Sequence, residues 1–160
     1  MKNSILVVMM LTLVLGVAFS AEAVLIDRGG GMIYSTAMDV TWLQDANYAK
    51  TSSYDADGLM TWNDAMTWAG TLSYGGYEDW RLPTFDENNP DRYDGSLLHE
   101  MAYLYAVELE NYNYMLEHTG PFTNLPPSGP GGEWIEPWYW TGTLDSLDPT
   151  RAWRFDFTCG

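Results

Sequence analysis

The chain has 160 residues, with 22 acidic side chains against 7 basic ones, a formal net charge of −15 and eight tryptophans. A field of that sign repels nucleic acid and anionic membranes, which excludes both as partners. An aromatic share of 15% excludes a disordered acidic tail, which would be poor in such rings, and leaves an acidic globular domain able to bury its own core.

In chain order, Lys2 opens a leader. Residues 5–19 are apolar apart from Thr12 and Gly16, and Ala21-Glu22-Ala23 is a small-x-small site. This three-part pattern predicts a cleavable signal peptide over residues 1–23, with a mature domain over residues 24–160. The apolar run is shorter than the ~18 residues a membrane span needs, and no later segment is apolar enough to span. No cysteine follows the cleavage site to carry a lipid anchor. The expected location is therefore secreted, periplasmic or cell surface. Cys159 is the only cysteine. A domain exported with no internal disulfide relies on packing, metal or partners, and Cys159 is expected to pair between chains or with a segment beyond the C-terminal end.

Residues 24–34 are predicted to form a hairpin turning at Gly29-Gly30-Gly31, and Val40-Thr41-Trp42-Leu43 a short strand. Residues 44–59 read as polar and irregular, with a turn at Asp55-Ala56-Asp57-Gly58. Residues 61–72 are the first clear helix. Thr61 can cap it, Asp64 sits near its positive end, and Ala65, Trp68, Ala69 and Leu72 share one face. Gly75-Gly76 stops it.

Asp79-Trp80-Arg81-Leu82-Pro83-Thr84 follows as an extended segment. Trp80 and Leu82 lie on one face, directed to the core. Arg81 and Asp79 lie on the other, where Arg81 is expected to pair with a carboxylate across the fold. Pro83 is expected to end the strand, having no N–H to donate. An acidic loop covers residues 86–95.

Ser96 is the expected cap of a second helix. Its apolar stripe is Leu97, Met101, Leu104, Tyr105 and Leu109, with Glu100, Glu108 and Glu110 outside it, and it frays within residues 111–118. Residues 120–137 hold five of the eight prolines and read as a loop. Residues 138–143 and 152–158 are aromatic strand candidates joined by a turn. Strands, helix, helix, strands is an α+β order.

Taken together, Thr61-Trp62-Asn63-Asp64-Ala65, Asp79-Trp80-Arg81-Leu82-Pro83-Thr84, Tyr139-Trp140-Thr141-Gly142-Thr143 and Ala152-Trp153-Arg154-Phe155-Asp156-Phe157 resemble the Lcl C-terminal domain family, formerly a domain of unknown function. Leu25-Ile26-Asp27-Arg28-Gly29 and Asp39-Val40-Thr41-Trp42-Leu43 are similar to the opening of members in exported bacterial proteins, some with a PEP-CTERM sorting tail. The resemblance spans residues 24–160. It implies a C-type-lectin-like single domain, two helices packed on short, mostly antiparallel strands, placed outside the cell, with adhesion or carbohydrate binding in some members. It carries over no catalytic residue. Members usually continue past the Phe-Asp-Phe strand, and this sequence has no PEP-CTERM tail, so it reads as shortened at its C-terminal end.

Enzyme signatures are sparse. His99-Glu100-Met101-Ala102-Tyr103 begins like a zinc-protease helix but has Tyr103 where the second ligand belongs, so His99 is expected on the helix surface. His118 is far away on a loop. No Gly-x-Ser-x-Gly occurs, Cys159 has no nearby base, and one cysteine cannot supply the paired chemistry of formylglycine-generating enzymes. Carboxylates are plentiful, and a pair such as Glu133 and Glu136 has the residue types for glycoside hydrolysis, but among this many acids some pair always looks suggestive. Trp62-Asn63-Asp64 and Glu136-Pro137-Trp138 imitate calcium-lectin sugar motifs in the wrong order.

Calcium is the one inorganic cofactor in view. Asp86, Glu87, Asn88, Asp91 and Asp94 offer hard oxygens from one loop, without EF-hand spacing, and Asp55 and Asp57 form a second set; the plainer reading of each is a solvated acidic loop. Trp134, Trp138, Tyr139 and Trp140 flank the proline-rich loop. Alternation puts Trp138 and Trp140 in the core and leaves Trp134 and Tyr139 as surface contacts for a ligand. The expected function is a non-catalytic binding or adhesion module that contacts glycan or protein at the cell surface. The alternative is a structural or assembly component of the bacterial envelope, oligomeric and without a small ligand.

Overall fold

A computed structural model describes residues 24–89, 96–112, 115–125, 138–158 and 160. The expected signal peptide, Asp91, Asp94, Glu133, Trp134, Glu136 and Cys159 lie outside the described residues. The architecture is the expected small α+β domain, with antiparallel strands in two small sheets.

The first sheet is an antiparallel meander of β1 (Leu25–Gly29), β2 (Met32–Ser35) and β3 (Val40–Leu43). Gly29, Gly30 and Gly31 all take positive φ, which lets the chain reverse within two residues, as the triple glycine predicts. Ile33 and Ser35 are fully buried. Their cross-strand neighbours Trp42 and Val40 share that face, so one side of the sheet meets the core.

The irregular stretch after β3 includes one helical turn, α1 (Tyr48–Thr51). Helix α2 (Trp62–Thr71) begins where Thr61 predicts. The Asp64 amide donates to Thr61 Oγ1 (3.3 Å), and the hydroxyl donates to Asp64 Oδ2 (2.6 Å). Ala65 and Ala69 are its buried positions.

The second predicted helix is corrected in its start, its length and its buried face. It begins at α3 (Glu100–Tyr103) and continues as a π-helical turn over Leu104–Glu108, closed by the Leu109 amide on the Leu104 carbonyl (2.8 Å). Ser96 makes a turn, accepting from Leu98 N on its hydroxyl and from His99 N on its carbonyl. Leu97 is consequently exposed, whereas Glu100 is buried and Glu108 half-buried. Beyond Leu109 the helix stops. Buried Asn111 then ties the chain, accepting from the amides of Glu117 and His118 and donating to the His118 carbonyl.

The second sheet is the hairpin of β4 (Trp138–Leu144) and β5 (Ala152–Asp156), irregular between Trp140 and Leu144. It brings Phe155 and Phe157 against Tyr105, edge to face, with centroids 5.8 and 6.1 Å away. These rings, with Ile33, Met101, Leu104, Leu109, Leu116, Phe122 and Leu125, form the core. Burying a side chain of that size stabilises by about 1.5–3 kcal/mol, so this cluster is the main favourable term.

Two indole N–H groups join the hairpin to α2: Trp62 donates to the Thr141 carbonyl (2.8 Å) and Trp140 to the Met60 carbonyl (2.9 Å). Among the described residues no helix is long and apolar enough to cross a membrane.

Candidate functional site

The Asp79–Thr84 segment, expected as an extended strand, forms no strand and belongs to no sheet. Pro83 has no amide to give, so the strand predicted here has no ladder to join. Instead Gly142 N donates to the Pro83 carbonyl (2.7 Å). Phe85 N donates to Thr143 Oγ1 (3.1 Å), and that hydroxyl donates back to the Phe85 carbonyl (2.9 Å). The segment is thus fastened to β4 by a serial contact of backbone and hydroxyl.

Arg81 does find its carboxylate across the fold. Its two terminal nitrogens donate to the two Glu100 oxygens at 2.8 and 2.6 Å, a bidentate fork. Thr84 N donates to Glu100 Oε2 (2.7 Å), and Arg81 also donates to the Leu82 carbonyl (3.1 Å). The Glu100 side chain is 8% exposed and that of Arg81 51%, so the acid is the buried anchor and the guanidinium its solvent-facing cap. The hydrogen bonds that Arg81 donates to Glu100 raise the Arg81 pKa above its already high ordinary value.

Arg81 opens onto a cleft of about 310 Å³ whose walls include Trp42, Tyr77 and Trp80, with Asp39, Asp79 and Thr41 as polar lining. Trp80 is fixed by its own N–H, which donates to the Tyr74 carbonyl (3.2 Å). Tyr74 packs edge-on to Trp80 and Tyr48, and its hydroxyl donates to the Gly30 carbonyl (2.8 Å). A Cβ at Gly31 would collide with that hydroxyl. Trp42 Nε1 is buried without a hydrogen-bond partner among the described residues. Asp39 is held at positive φ, and it accepts from the Tyr34 hydroxyl (2.7 Å), which pushes the Tyr34 phenol up. The lining offers aromatic surface, acceptors and one fixed cation, and among the described residues contains no Ser, Cys, His or Lys. Such a surface can stack on a flat or pyranose face and bond hydroxyls.

The other sequence-predicted residues lie elsewhere. Tyr139, expected at the surface, is half-buried. It packs against the core, edge-on to Phe157 at 5.3 Å, and burial pushes its phenol up to about 12. Trp138, predicted to be buried, is exposed, with the Arg154 guanidinium 3.7 Å over its ring. The core side of β4 is set by the ring cluster of Tyr105, Phe155 and Phe157, which takes the tyrosine. Trp140 is half-buried.

Asp86 uses Oδ1 to accept from the Asn88 amide and side chain, and Glu87 accepts from Ser146 N (2.8 Å), which lowers its pKa. Asp55 and Asp57 each close their own turn by accepting backbone amides. Among the described residues no group of three or more His, Cys, Asp or Glu could hold a metal ion.

His99 is corrected as well. It is 1% exposed, stacks on Phe85 at 4.7 Å, and neither ring nitrogen has a partner among the described residues. Sequence reasoning did not single out Asp39, Trp42 or Tyr77 for the cleft. The Gly75-Gly76-Tyr77 turn beside the Asp79–Thr84 segment was the available signal for Tyr77.

The sequence model of the Lcl C-terminal domain matches residues 31–160. No curated protein matches the chain. No solved structure matches it either.

Proposed function

The chain belongs to the Lcl C-terminal domain family, and from that premise we propose that it is an exported, non-catalytic binding module whose cleft beside Arg81 receives a neutral glycan at the cell surface. The reading takes the α+β domain as C-type-lectin-like. The observation that carries it is the cleft itself: Trp42, Tyr77 and Trp80 around a guanidinium already locked by Glu100. Trp42 and Trp80, held in advance, cost little entropy on binding, and a sugar supplies apolar faces for the rings together with hydroxyls for Asp39 and Asp79. Three carboxylates in the lining, one of them paired with Arg81, and a net charge of −15 favour a neutral over an anionic saccharide.

Titration of the purified protein with neutral oligosaccharides, read by tryptophan fluorescence, tests this. A saturable change is expected. It should weaken about ten-fold in Tyr77→Ala and Asp79→Asn, the loss of roughly one stacking or hydrogen-bonding contact. Saturation that ignores both substitutions would place the ligand elsewhere, and no saturation with any sugar would end the glycan reading.

A further inference from the structure

A larger depression, about 770 Å³, lies between the start of α2 and the β4–β5 hairpin. Trp62 and Trp140 form its aromatic wall, Leu144 and Pro149 its apolar rim, and Arg151 and Arg154 its charge. Among the described residues no Asp or Glu lines it, in a chain with 22 of them. The described residues include five Lys and Arg, and two of the five converge here.

The partners of these two arginines differ from those of the other described arginines. Arg81 is spent on Glu100, and Arg28 donates to Thr41 and lies over Tyr34. Neither Arg151 nor Arg154 has a side-chain hydrogen bond or ion pair among the described residues. Arg154 is steadied by the Trp138 ring at 3.7 Å, a contact through the guanidinium face that leaves its N–H edge to donate. Asp148 lies near enough to Arg151 for their charges to interact. It stands outside the lining, and its Oδ1 accepts from Thr150 N and Oγ1.

The walls are fixed in advance. Trp140 stands opposite Arg154 in the hairpin register, and the indole N–H groups of Trp140 and Trp62 are already bonded to Met60 and Thr141. The rings therefore offer apolar surface only. The first amides of the ten-residue helix α2 add their positive end at the same rim.

Donors without matching acceptors, beside flat apolar walls, complement an acceptor-only group on a flat body. We infer that this pocket binds a small monocarboxylate, its anion between Arg151 and Arg154 and its body against Trp62 and Trp140. The ligand is small and singly charged because every further negative charge is opposed by the field of the whole chain. The site is distinct from the cleft at Arg81 and stands or falls independently of the glycan reading.

Phenylacetate is a suitable probe, and phenylacetamide its neutral isostere. The purified protein is titrated with each while the indole N–H cross-peaks of Trp62 and Trp140 are followed by NMR. Phenylacetate should shift both peaks saturably, and phenylacetamide should bind at least about ten-fold more weakly, the worth of a charge-assisted bidentate contact. The double variant Arg151→Gln, Arg154→Gln should lose phenylacetate binding by the same factor. Tyr77→Ala should retain it, which separates this pocket from the sugar cleft. Equal binding of acid and amide, or phenylacetate shifts confined to other tryptophans, would overturn the proposal. The comparison of acid with amide uses the unaltered chain, so it decides even if the double variant fails to fold.

Discussion

Arg81 and Arg154 carry the same group into opposite circumstances. Around Arg81 the fold supplies a buried carboxylate, which is itself held by the Thr84 amide, and both terminal nitrogens are engaged. Around Arg154 it supplies an aromatic face and, among the described residues, no acceptor. The first arginine holds a loop to a helix. The second is kept ready for something from outside. What separates structural from receptive chemistry here is the supply of acceptors, and the two regions can be told apart by what each loses on substitution.

The largest effect is expected at Arg81. Arg81→Ala leaves Glu100 buried with the Thr84 amide alone, and should lower unfolding free energy by about 2–4 kcal/mol, below the full cost of a wholly buried pair because the guanidinium is half in solvent. Urea denaturation measures it. A loss under about 0.5 kcal/mol would put Arg81 in the same class as Arg154 and dissolve the contrast.

Glu108 sharpens the comparison from the acidic side, as a carboxylate whose one hydrogen-bond partner among the described residues is the Ser35 hydroxyl (2.6 Å). Burial pushes it above its ordinary 4.5, with the Ser35 bond pulling the other way. The folded chain thus holds this proton more tightly than the unfolded chain. The resulting stabilisation is complete below 4.5 and is lost as pH rises from there through the raised folded value. Stability of Glu108→Gln should fall less steeply than that of the parent over that window. Identical slopes would mean that the carboxylate is solvated.

The smallest effect is expected at Arg154. Arg154→Gln should change stability by no more than about 0.5 kcal/mol, since it removes an exposed cation–π contact and no ion pair. A loss as large as that at Arg81 would make Arg154 structural and remove the basis for a ligand beside it.

Local chemistry was readable from the residues. Three consecutive glycines marked the first hairpin, and Thr61 with Asp64 marked the start of α2, because turns and caps depend on neighbours in sequence. The need of Arg81 for a carboxylate was readable too, but its identity was not. Counting from Ser96 placed Glu100 on an outer face. The helix in fact begins four residues later and then widens into a π turn, which resets every position after it. Trp138 and Tyr139 were exchanged between core and surface for a related reason. Alternation states that neighbours face opposite ways, not which way is inward, and Phe157 decided that. The cleft was the least legible feature. Asp39 and Trp42 come from the first sheet and Tyr77 from beyond α2, so no local pattern joins them.

The indole bonds from Trp62 and Trp140 run between residues 79 and 80 positions apart, and the Phe85–Thr143 bonds between residues 58 apart. Closing such loops is entropically expensive and slow compared with forming a hairpin or a capped helix. The amino-terminal meander and α2 can therefore form early, while the final hairpin must search for its seat across most of the chain. Refolding is expected to wait on that docking step, and during synthesis the half-exposed apolar surface of the earlier elements stays uncovered until the last strands emerge.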